Sequence, residues 1–387
     1  MKLAIVTSHP IQYYAPWFKY MSNYMDLHVF YMHEESKSER EKGDFGVDYE
    51  WDVDLLSGYN YGFLKNVAKN PNVNNFKGCD TPEIYKIIKE SDFDAVLVTG
   101  WYLKAFWQVV VACKIYGIPI LIRGDSTLSN DKSLIKKSIK KILYPIILNF
   151  FDLFLSVGQN NRKYLQYYGV NNKKIIFIPH FIDQEYFRHN AESSNNLKRE
   201  LNISSSATIL LFVGKFLELK RPMDILEAMN MLSSDNVEVE AIFVGSGKLE
   251  EEMKVFCKQN ANLKVHFVGF KNQSEVPKYY NISDVLILPS SSETWGLVVN
   301  EAFSLLTPAI VSNQVGCMPD LIESRLTGDV YECGDTVALA EKIKKFILNM
   351  NVKIIQKNIK EKNEIYSMQY ATENLINAIK HMKSSKQ

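Results

Sequence analysis

Short apolar runs rich in Ile, Val, Leu and Phe recur along the chain, each followed by a segment in which apolar residues return at helical spacing. A run with no polar alternation suits a strand covered on both faces, so the alternation predicts parallel sheets covered by helices. In the first half such strands are predicted at residues 3–7, 27–31, 95–99, 120–123, 153–157 and 175–178. In the second half they are predicted at 208–213, 239–244, 265–268, 285–288, 309–312 and 329–331. Between the two series, residues 189–207 (HNAESSNNLKRELNISSSA) are dominated by Asn and Ser and carry no apolar run, as a linker with little to bury does. The chain therefore divides into an α/β domain over residues 1–190 and a second over 191–365. From Ala338 onward the pattern is helical, with many Lys and Glu and no Pro or Gly, which predicts two or three closing surface helices. The last, 366–387, is expected to pack back on the first domain.

Composition narrows this picture. With 387 residues, 46% hydrophobic and 23% charged, the chain is long enough for two or three ordinary cores, and disorder or a disulfide miniprotein is excluded. A formal net charge of +1 leaves no field over the whole molecule to attract nucleic acid, so any anion site must be local. The five cysteines (Cys79, Cys113, Cys257, Cys317, Cys333) are scattered, odd in number and form no CxxC pair, which fits a reducing, cytoplasmic compartment better than a disulfide framework or a zinc ribbon. The opening MKLAIVTSHP reads as a buried first strand rather than a signal peptide. The longest greasy stretch, 142–155, is interrupted by Pro145, Asn149 and Asp152 and is too short to span a bilayer.

One segment stands apart. Residues 131–151 (DKSLIKKSIKKILYPIILNFF) carry Lys132, Lys136, Lys137, Lys140 and Lys141 and no acid after Asp131. At helical spacing Lys132, Lys136 and Lys140 share one face, while Ile135, Ile139 and Ile142 share another. Such a helix either packs its Ile face on the sheet and solvates its lysines, or lies on an anionic membrane surface through 132–151.

Candidate chemistry concentrates in the second half. In residues 286–302, LILPSSSETWGLVVNEA, a buried strand runs into a polar loop and then a helix that carries Glu301. Ligands of open α/β sheets sit at the carboxyl ends of strands, and helix N-terminal amides suit phosphate. Glu293 and Glu301 could thus face one crevice and accept hydrogen bonds from sugar or ribose hydroxyls, or be only a loop Glu and a solvated helical one. In residues 212–222, FVGKFLELKRP, a strand ends at Gly214 with Lys215, Lys220 and Arg221 beyond it, a place for a diphosphate or merely a solvated loop. The following FVGSGK (243–248) is a Gly-rich turn but lacks the full P-loop pattern, and neither half opens with GxGxxG, which argues against a dinucleotide dehydrogenase.

The succession FVGKFLELK, FVGSGKLEEEM, VHFVGF, SDVLILPSSSETWGLVVNEA, NQVGCMPDLI and TGDVYECGD resembles the donor-binding domain of glycosyltransferase family 4, over residues 209–337. In the first half the likeness is looser: an opening strand and loop, SVGQNNRKYLQYYGV and IPHFIDQEYF. The resemblance implies a GT-B fold, with two Rossmann-like α/β/α domains facing each other across a cleft. It also implies retaining transfer of a sugar from a nucleoside-diphosphate sugar to a hydroxyl of a saccharide or lipid-linked acceptor in cell-surface polysaccharide, lipopolysaccharide or glycoconjugate synthesis, with no metal or cofactor. Lys215 and Lys220 would hold the donor diphosphate, the former where the family usually has Arg. Glu293 would contact the sugar, Thr294, Trp295, Gly296 and Leu297 would line the sugar and phosphate, and Glu301 would hold the ribose. Gly214, the turn at Gly245 and Gly247, and the turn at Gly269 and Phe270 would complete the donor site, the base resting on the last two. Gly316 and Cys317 stand where family members usually show two glycines.

In the first domain the opening loop SHPIQYYAP lacks the paired glycines common in the family and places His9, Gln12 and Tyr13 at the carboxyl end of a strand, where an acceptor would bind. Where many members carry a His after the fourth strand, this chain has Asp125, and Arg123 and Asp125 are its polar candidates for the reaction centre or for a structural ion pair. The aromatic stretch 44–63 (DFGVDYEWDVDLLSGYNYGF) suits a saccharide or local packing. Other readings remain open: another GT-B activity, such as a sugar-nucleotide epimerase or phosphorylase, or a non-catalytic sugar-nucleotide-binding subunit.

Overall fold

The protein is described by a computed structural model over residues 1–34, 52–128, 134–194, 196–235, 237–349 and 351–384. Among the described residues, thirteen strands build two wholly parallel sheets with helices between successive strands. The first sheet comprises β1 (Lys2–Thr7), β2 (Asp26–Tyr31), β3 (Asn60–Phe63), β4 (Ala95–Val98), β5 (Ile120–Gly124), β6 (Leu153–Ser156) and β7 (Ile175–Phe177), in the order β3-β2-β1-β4-β5-β6-β7. The second comprises β8 (Thr208–Val213), β9 (Val239–Val244), β10 (Lys264–Gly269), β11 (Val285–Leu288), β12 (Ala309–Ser312) and β13 (Gly328–Tyr331), ordered β10-β9-β8-β11-β12-β13. Each sheet reverses its strand order once, between β1 and β4 and between β8 and β11. These are the switch points of Rossmann-like sheets, where the loops leaving neighbouring strands diverge and open a crevice. Two Rossmann-like α/β domains with GT-B topology result.

All twelve strands read from the apolar runs are present, because strands buried on both faces cannot alternate. β1, β4 and β11 expose almost nothing. β3 escapes the pattern: NYGF has a Gly, an Asn and no apolar run, and it pairs only with β2 at the sheet edge. Its aromatics pack locally, the Tyr31 and Tyr59 hydroxyls lying 2.6 Å apart and the Tyr31 and Phe63 rings 5.4 Å apart. That is the packing alternative for the described part of the aromatic stretch; residues 44–51 lie outside the described residues.

Contacts gather Asp54–His180 and Ser367–Gln387 with the N-terminal strands in one unit, and Phe181–Tyr366 in another. In the first, the core lies between β1, β4, β5 and the helices Ile84–Glu90 and Lys104–Tyr116, with Val96, Val98, Phe106, Val109 and Cys113 fully enclosed. The helix Met368–Ser384 joins this unit: Trp17 Nε1 donates to Thr372 Oγ1 at 3.0 Å, and Asn374 Nδ2 donates to the Phe177 carbonyl. In the second unit, Leu210, Phe212, Phe216, Leu226, Met229, Phe243 and Ile287 form the centre of the core, each contributing on the order of 1.5–3 kcal/mol by burial. The Asn- and Ser-rich stretch is partly helical: the helix Gln184–Ala191 ends within it and Leu197–Glu200 forms a further turn. Asn281 Nδ2 donates to Ser194 Oγ at 2.7 Å, so short polar side chains there serve local packing.

Among the described residues no helix is long and apolar enough to cross a membrane. The helix Leu134–Leu148 overturns one expectation. Ile139 and Ile142, read as a core-packing face, are 53% and 73% exposed, whereas Leu148 is buried and Tyr144 packs at 4.8 Å from the Tyr168 ring. Helical spacing identified the two faces but could not say which one the sheet would cover. Lys132 lies outside the described residues.

Candidate functional site

The loops that leave β8, β9 and β10 are joined by main-chain hydrogen bonds. Gly245 N–H donates to the Gly269 carbonyl at 2.9 Å, Phe216 N–H to the Ser246 carbonyl at 2.9 Å, and Leu249 N–H to the Phe216 carbonyl at 3.1 Å. Gly245 has φ +136, and a Cβ there would stand 2.0 Å from the Gly214 carbonyl oxygen, so both conformation and close approach demand glycine. Gly214, Gly245, Gly247 and Phe270 are thus gathered at the carboxyl edge of the second sheet, as the sequence places them. Lys215 is half-buried between Gly214 and the enclosed Phe216.

Across the switch point, Ser291 N–H donates to the Leu219 carbonyl at 2.8 Å and tethers the β8 loop to the β11 loop. This tether brings Lys220 Nζ onto Glu293 Oε2, an ion pair whose side chains are 23% and 18% exposed. Ser290 Oγ lies 3.4 Å from the same carboxylate oxygen. The pair is neither surface nor core: charges are partly desolvated, yet open enough for an incoming anion to compete. Arg221, third of the clustered cations, turns away. With φ +51, it donates from Nε to the buried Asp224 Oδ2 at 2.8 Å, and burial raises that carboxyl despite the nearby guanidinium.

Beyond Glu293 the chain passes Thr294 and Trp295 to Gly296, which caps the helix Leu297–Ser304 with no side-chain bond to its first amides. Trp295 is buried, donating from Nε1 to Asn300 Oδ1 at 2.8 Å, with its ring 6.0 Å from that of Tyr366. Glu301 is 4% exposed and accepts from the Tyr280 hydroxyl at 2.7 Å. This segment is braced by the turn after β12. Gly316 N–H donates to the Glu293 carbonyl at 3.0 Å, and Cys317 N–H to the Trp295 carbonyl at 2.8 Å. The position at which family members usually show a second glycine holds a buried cysteine here, whose thiol is pushed well up by burial and then by Glu293. Tyr280, Asn300 and Ser290 were not singled out by sequence; nothing in their local pattern announces partners up to 21 residues away.

In the first unit, the loop after β1 carries His9, Gln12 and Tyr13, all half-buried. Ser8 Oγ lies 3.0 Å from His9 Nδ1, and the Gln12 side-chain oxygen is buried with no hydrogen-bond partner. Asp125 is exposed just after β5. Arg123 is not an open polar group beside it: 1% exposed, it donates from its two terminal nitrogens to the Tyr14 hydroxyl at 2.7 Å and the Pro179 carbonyl at 2.9 Å. Its guanidinium also stands 5.3 Å and 5.5 Å from the Tyr14 and Trp17 ring centres. These contacts clamp β5 to the helix Ala15–Met21 and the end of β7, with a hydroxyl and a carbonyl as partners rather than the acid of a loop ion pair. His180, not singled out by sequence, sits beside it, and desolvation first and the Arg123 charge second push its imidazole well below the usual 6.5. Among the described residues no group of His, Cys, Asp or Glu is arranged to hold a metal ion.

Comparisons with known proteins bear on the fold and the family. Residues 26–186 match the family model described as Glycosyltransferase Family 4, and residues 193–364 match that of Glycosyl transferases group 1. An N-acetyl-alpha-D-glucosaminyl L-malate synthase of Bacillus anthracis is 30% identical over 176 residues, a match spanning 44% of this chain and 43% of that relative. A UDP-Gal:alpha-D-GlcNAc-diphosphoundecaprenol alpha-1,3-galactosyltransferase of Escherichia coli is 22% identical over 72% of this chain and 73% of its own length. A GalNAc-alpha-(1->4)-GalNAc-alpha-(1->3)-diNAcBac-PP-undecaprenol alpha-1,4-N-acetyl-D-galactosaminyltransferase of Campylobacter jejuni is 25% identical over 78% of each. Among solved structures, Anabaena Alr3699/HepE in complex with UDP has a TM-score of 0.73 at 14% identity, covering 98% of this chain and 100% of that one. The same Anabaena protein in complex with UDP-glucose has a TM-score of 0.68 at 14% identity and covers both chains fully.

Proposed function

The chain belongs to the glycosyltransferases of family 4, and from that premise we propose that it transfers a sugar, with retention, from a nucleoside-diphosphate sugar to a hydroxyl of a saccharide or lipid-linked glycan in the synthesis of a cell-surface glycan. The observation that carries this reading is the Lys220–Glu293 pair at the β8/β11 switch point, beside the uncapped helix Leu297–Ser304. Helix N-terminal amides and partly desolvated lysines are what a diphosphate needs, and a carboxylate beside them suits sugar hydroxyls. Support for the substrate class comes from the Escherichia coli and Campylobacter relatives, whose names give undecaprenol-linked acceptors, and from the Anabaena neighbour that holds UDP-glucose.

On this reading the resting ion pair is exchanged when donor enters. Lys220 moves from Glu293 to the diphosphate, joined by Lys215 and the Trp295–Leu297 amides, and Glu293 turns to hydroxyls of the sugar. The bond between the anomeric carbon and the diphosphate oxygen breaks as the acceptor oxygen bonds the same face of that carbon, and the acceptor proton passes to the departing phosphate. Charge growing on the diphosphate is met by groups already in place, the arrangement that lowers such barriers most. Glu301, oriented by Tyr280, takes the ribose hydroxyls, and the Gly245–Gly247 and Gly269–Phe270 turns receive the base. His9, Gln12, Tyr13 and Asp125 attend the acceptor. No resident metal is needed, so chelator should leave the rate unchanged.

The test is product formation, followed by mass spectrometry, from a set of nucleotide sugars and polyprenyl-diphosphate saccharides. Glu293→Ala is expected to lower turnover by at least about a hundredfold with the melting curve intact. Turnover near that of the unaltered protein would sink the assignment. If donor stabilises the fold yet neither transfer nor slow donor hydrolysis occurs, the chain is a sugar-nucleotide-binding subunit instead.

A further inference from the structure

Among the described residues, four that are not glycine hold a left-handed backbone: Asn202, Arg221, Leu306 and Arg325. Asn202, Leu306 and Arg325 lie shortly before β8, β12 and β13, on the amino side of strands. Arg221 alone sits in a loop that leaves a strand, directly after the lysine that pairs with Glu293. A residue with a Cβ is strained at φ +51 and ψ +44, and strain kept beside a candidate site points to a task there.

The side chain supplies what holds the strain. Arg221 Nε donates to Asp224 Oδ2 at 2.8 Å, and that carboxylate is buried in the first turn of the helix Met223–Ser234. The end of the guanidinium lies against the loop after β13, where a Cβ on Gly334 would stand 3.2 Å from Nη2 and 3.5 Å from Cζ. Main-chain bonds close the turn: Lys220 N–H donates to the Leu217 carbonyl at 2.8 Å, and Arg221 N–H to the Leu217 and Glu218 carbonyls at 3.2 Å each. Pro222 follows, and a residue before proline is kept out of the right-handed helical region. Released from its clamp, residue 221 therefore opens toward the extended region. The helix beyond it is fixed by Ile225, Leu226 and Met229 in the core, so the 217–220 turn is the side that swings, and Lys220 leaves Glu293 with it.

We propose that Arg221 is a positioning residue, whose clamp on Asp224 holds the left-handed turn that aims Lys220 at the donor diphosphate. This rests on the reading of Lys220 as a diphosphate ligand and adds what keeps it in place. Glycine takes the same turn without strain, so Arg221→Gly needs no clamp, whereas Arg221→Ala keeps the strain and loses what offsets it. The experiment is calorimetric titration of the full chain with UDP, GDP and ADP, the one that binds the unaltered protein most tightly serving as probe. Arg221→Ala and Asp224→Ala are each expected to raise its Kd about tenfold, and Arg221→Gly less than about threefold. Asp224→Ala added to Arg221→Gly should cost little further affinity, because the glycine turn no longer uses the clamp. Thermal melting of each variant reports folding, and the Arg221 pair decides alone if Asp224→Ala does not fold. Equal loss of affinity in the Ala and Gly variants would mean that the guanidinium itself meets the ligand, and overturns the inference. Unchanged affinity in both, with lowered melting, overturns it too by leaving Arg221 a packing role only. If the unaltered protein binds none of the three nucleotides, the diphosphate reading fails and the inference falls with it.

Discussion

Gly316→Ala should damage a site to which residue 316 contributes no side chain. A Cβ built there lies 1.9 Å from the Thr294 carbonyl oxygen, 2.5 Å from its carbon and 2.9 Å from the Glu293 carbonyl oxygen. All three are backbone atoms, so no rotamer change relieves the contact. To reach the 3.0 Å that real contacts respect, the turn after β12 and the segment 293–295 must part by about 1 Å, and the bonds from Gly316 and Cys317 to the Glu293 and Trp295 carbonyls then lengthen or break. Forced overpacking of this kind costs about 1–3 kcal/mol, or roughly 5 °C of melting temperature for a domain of this size. A displacement of about 1 Å in a group that orients substrate costs on the order of a hundredfold in turnover. Differential scanning fluorimetry reads the first effect, nucleotide-sugar titration and transfer assays the second. Gly62→Ala, where the nearest atom would be 3.7 Å away, is the matched control and should be silent. A normal melting temperature with normal transfer in Gly316→Ala would falsify the close packing. A lowered melting temperature with full donor binding and turnover would instead detach the 293–296 segment from catalysis.

Arg123→Ala should lower stability by roughly 2–4 kcal/mol in urea titration, because the Pro179 carbonyl and Tyr14 hydroxyl each lose a charged donor; lost turnover with unchanged stability would return Arg123 to the reaction centre. His180 has a depressed imidazole, so the unfolded chain binds its proton more readily than the folded one, and its contribution to stability is lost as pH falls through about 6.5 and below. His180→Asn should therefore flatten the decline of melting temperature between pH 7 and pH 5, and an unchanged decline refutes this. Tyr280→Phe should cost about 1–3 kcal/mol by removing the donor to buried Glu301, and should raise the donor KM more than it lowers kcat. An unaltered KM would show that Glu301 is a packing carboxylate only.

Much of the architecture could be read from the chain because two-sided burial writes itself into sequence. β11 is apolar from end to end, as is β8 after Thr208, and both could be little else. What stayed hidden was what depends on partners far along the chain. Arg123 looks like any cation at the end of a strand until Tyr14 and Pro179, 109 and 56 residues away, close on it. Lys215, Lys220 and Arg221 are equivalent in sequence, yet Asp224 draws Arg221 aside while the Ser291–Leu219 bond turns Lys220 to Glu293. The helix Leu134–Leu148 is amphipathic by spacing alone, but which stripe meets the sheet follows from Tyr144, Leu148 and Tyr168, not from the lysines.

The main-chain lacing of the β8, β9 and β10 loops bears on how such a chain can change over time. Bonds between backbone amides and carbonyls do not depend on which side chains hang from them, so the frame at Gly214, Phe216 and Gly245 survives replacement of its neighbours. Lys248 can change and redraw what the edge offers a ligand without unpicking the edge itself, while Gly245 is held fast by the carbonyl of Gly214. A scaffold of this kind separates the part that keeps its shape from the part that chooses a ligand. Libraries that randomise position 248 and spare the glycines are the natural route to retraining it.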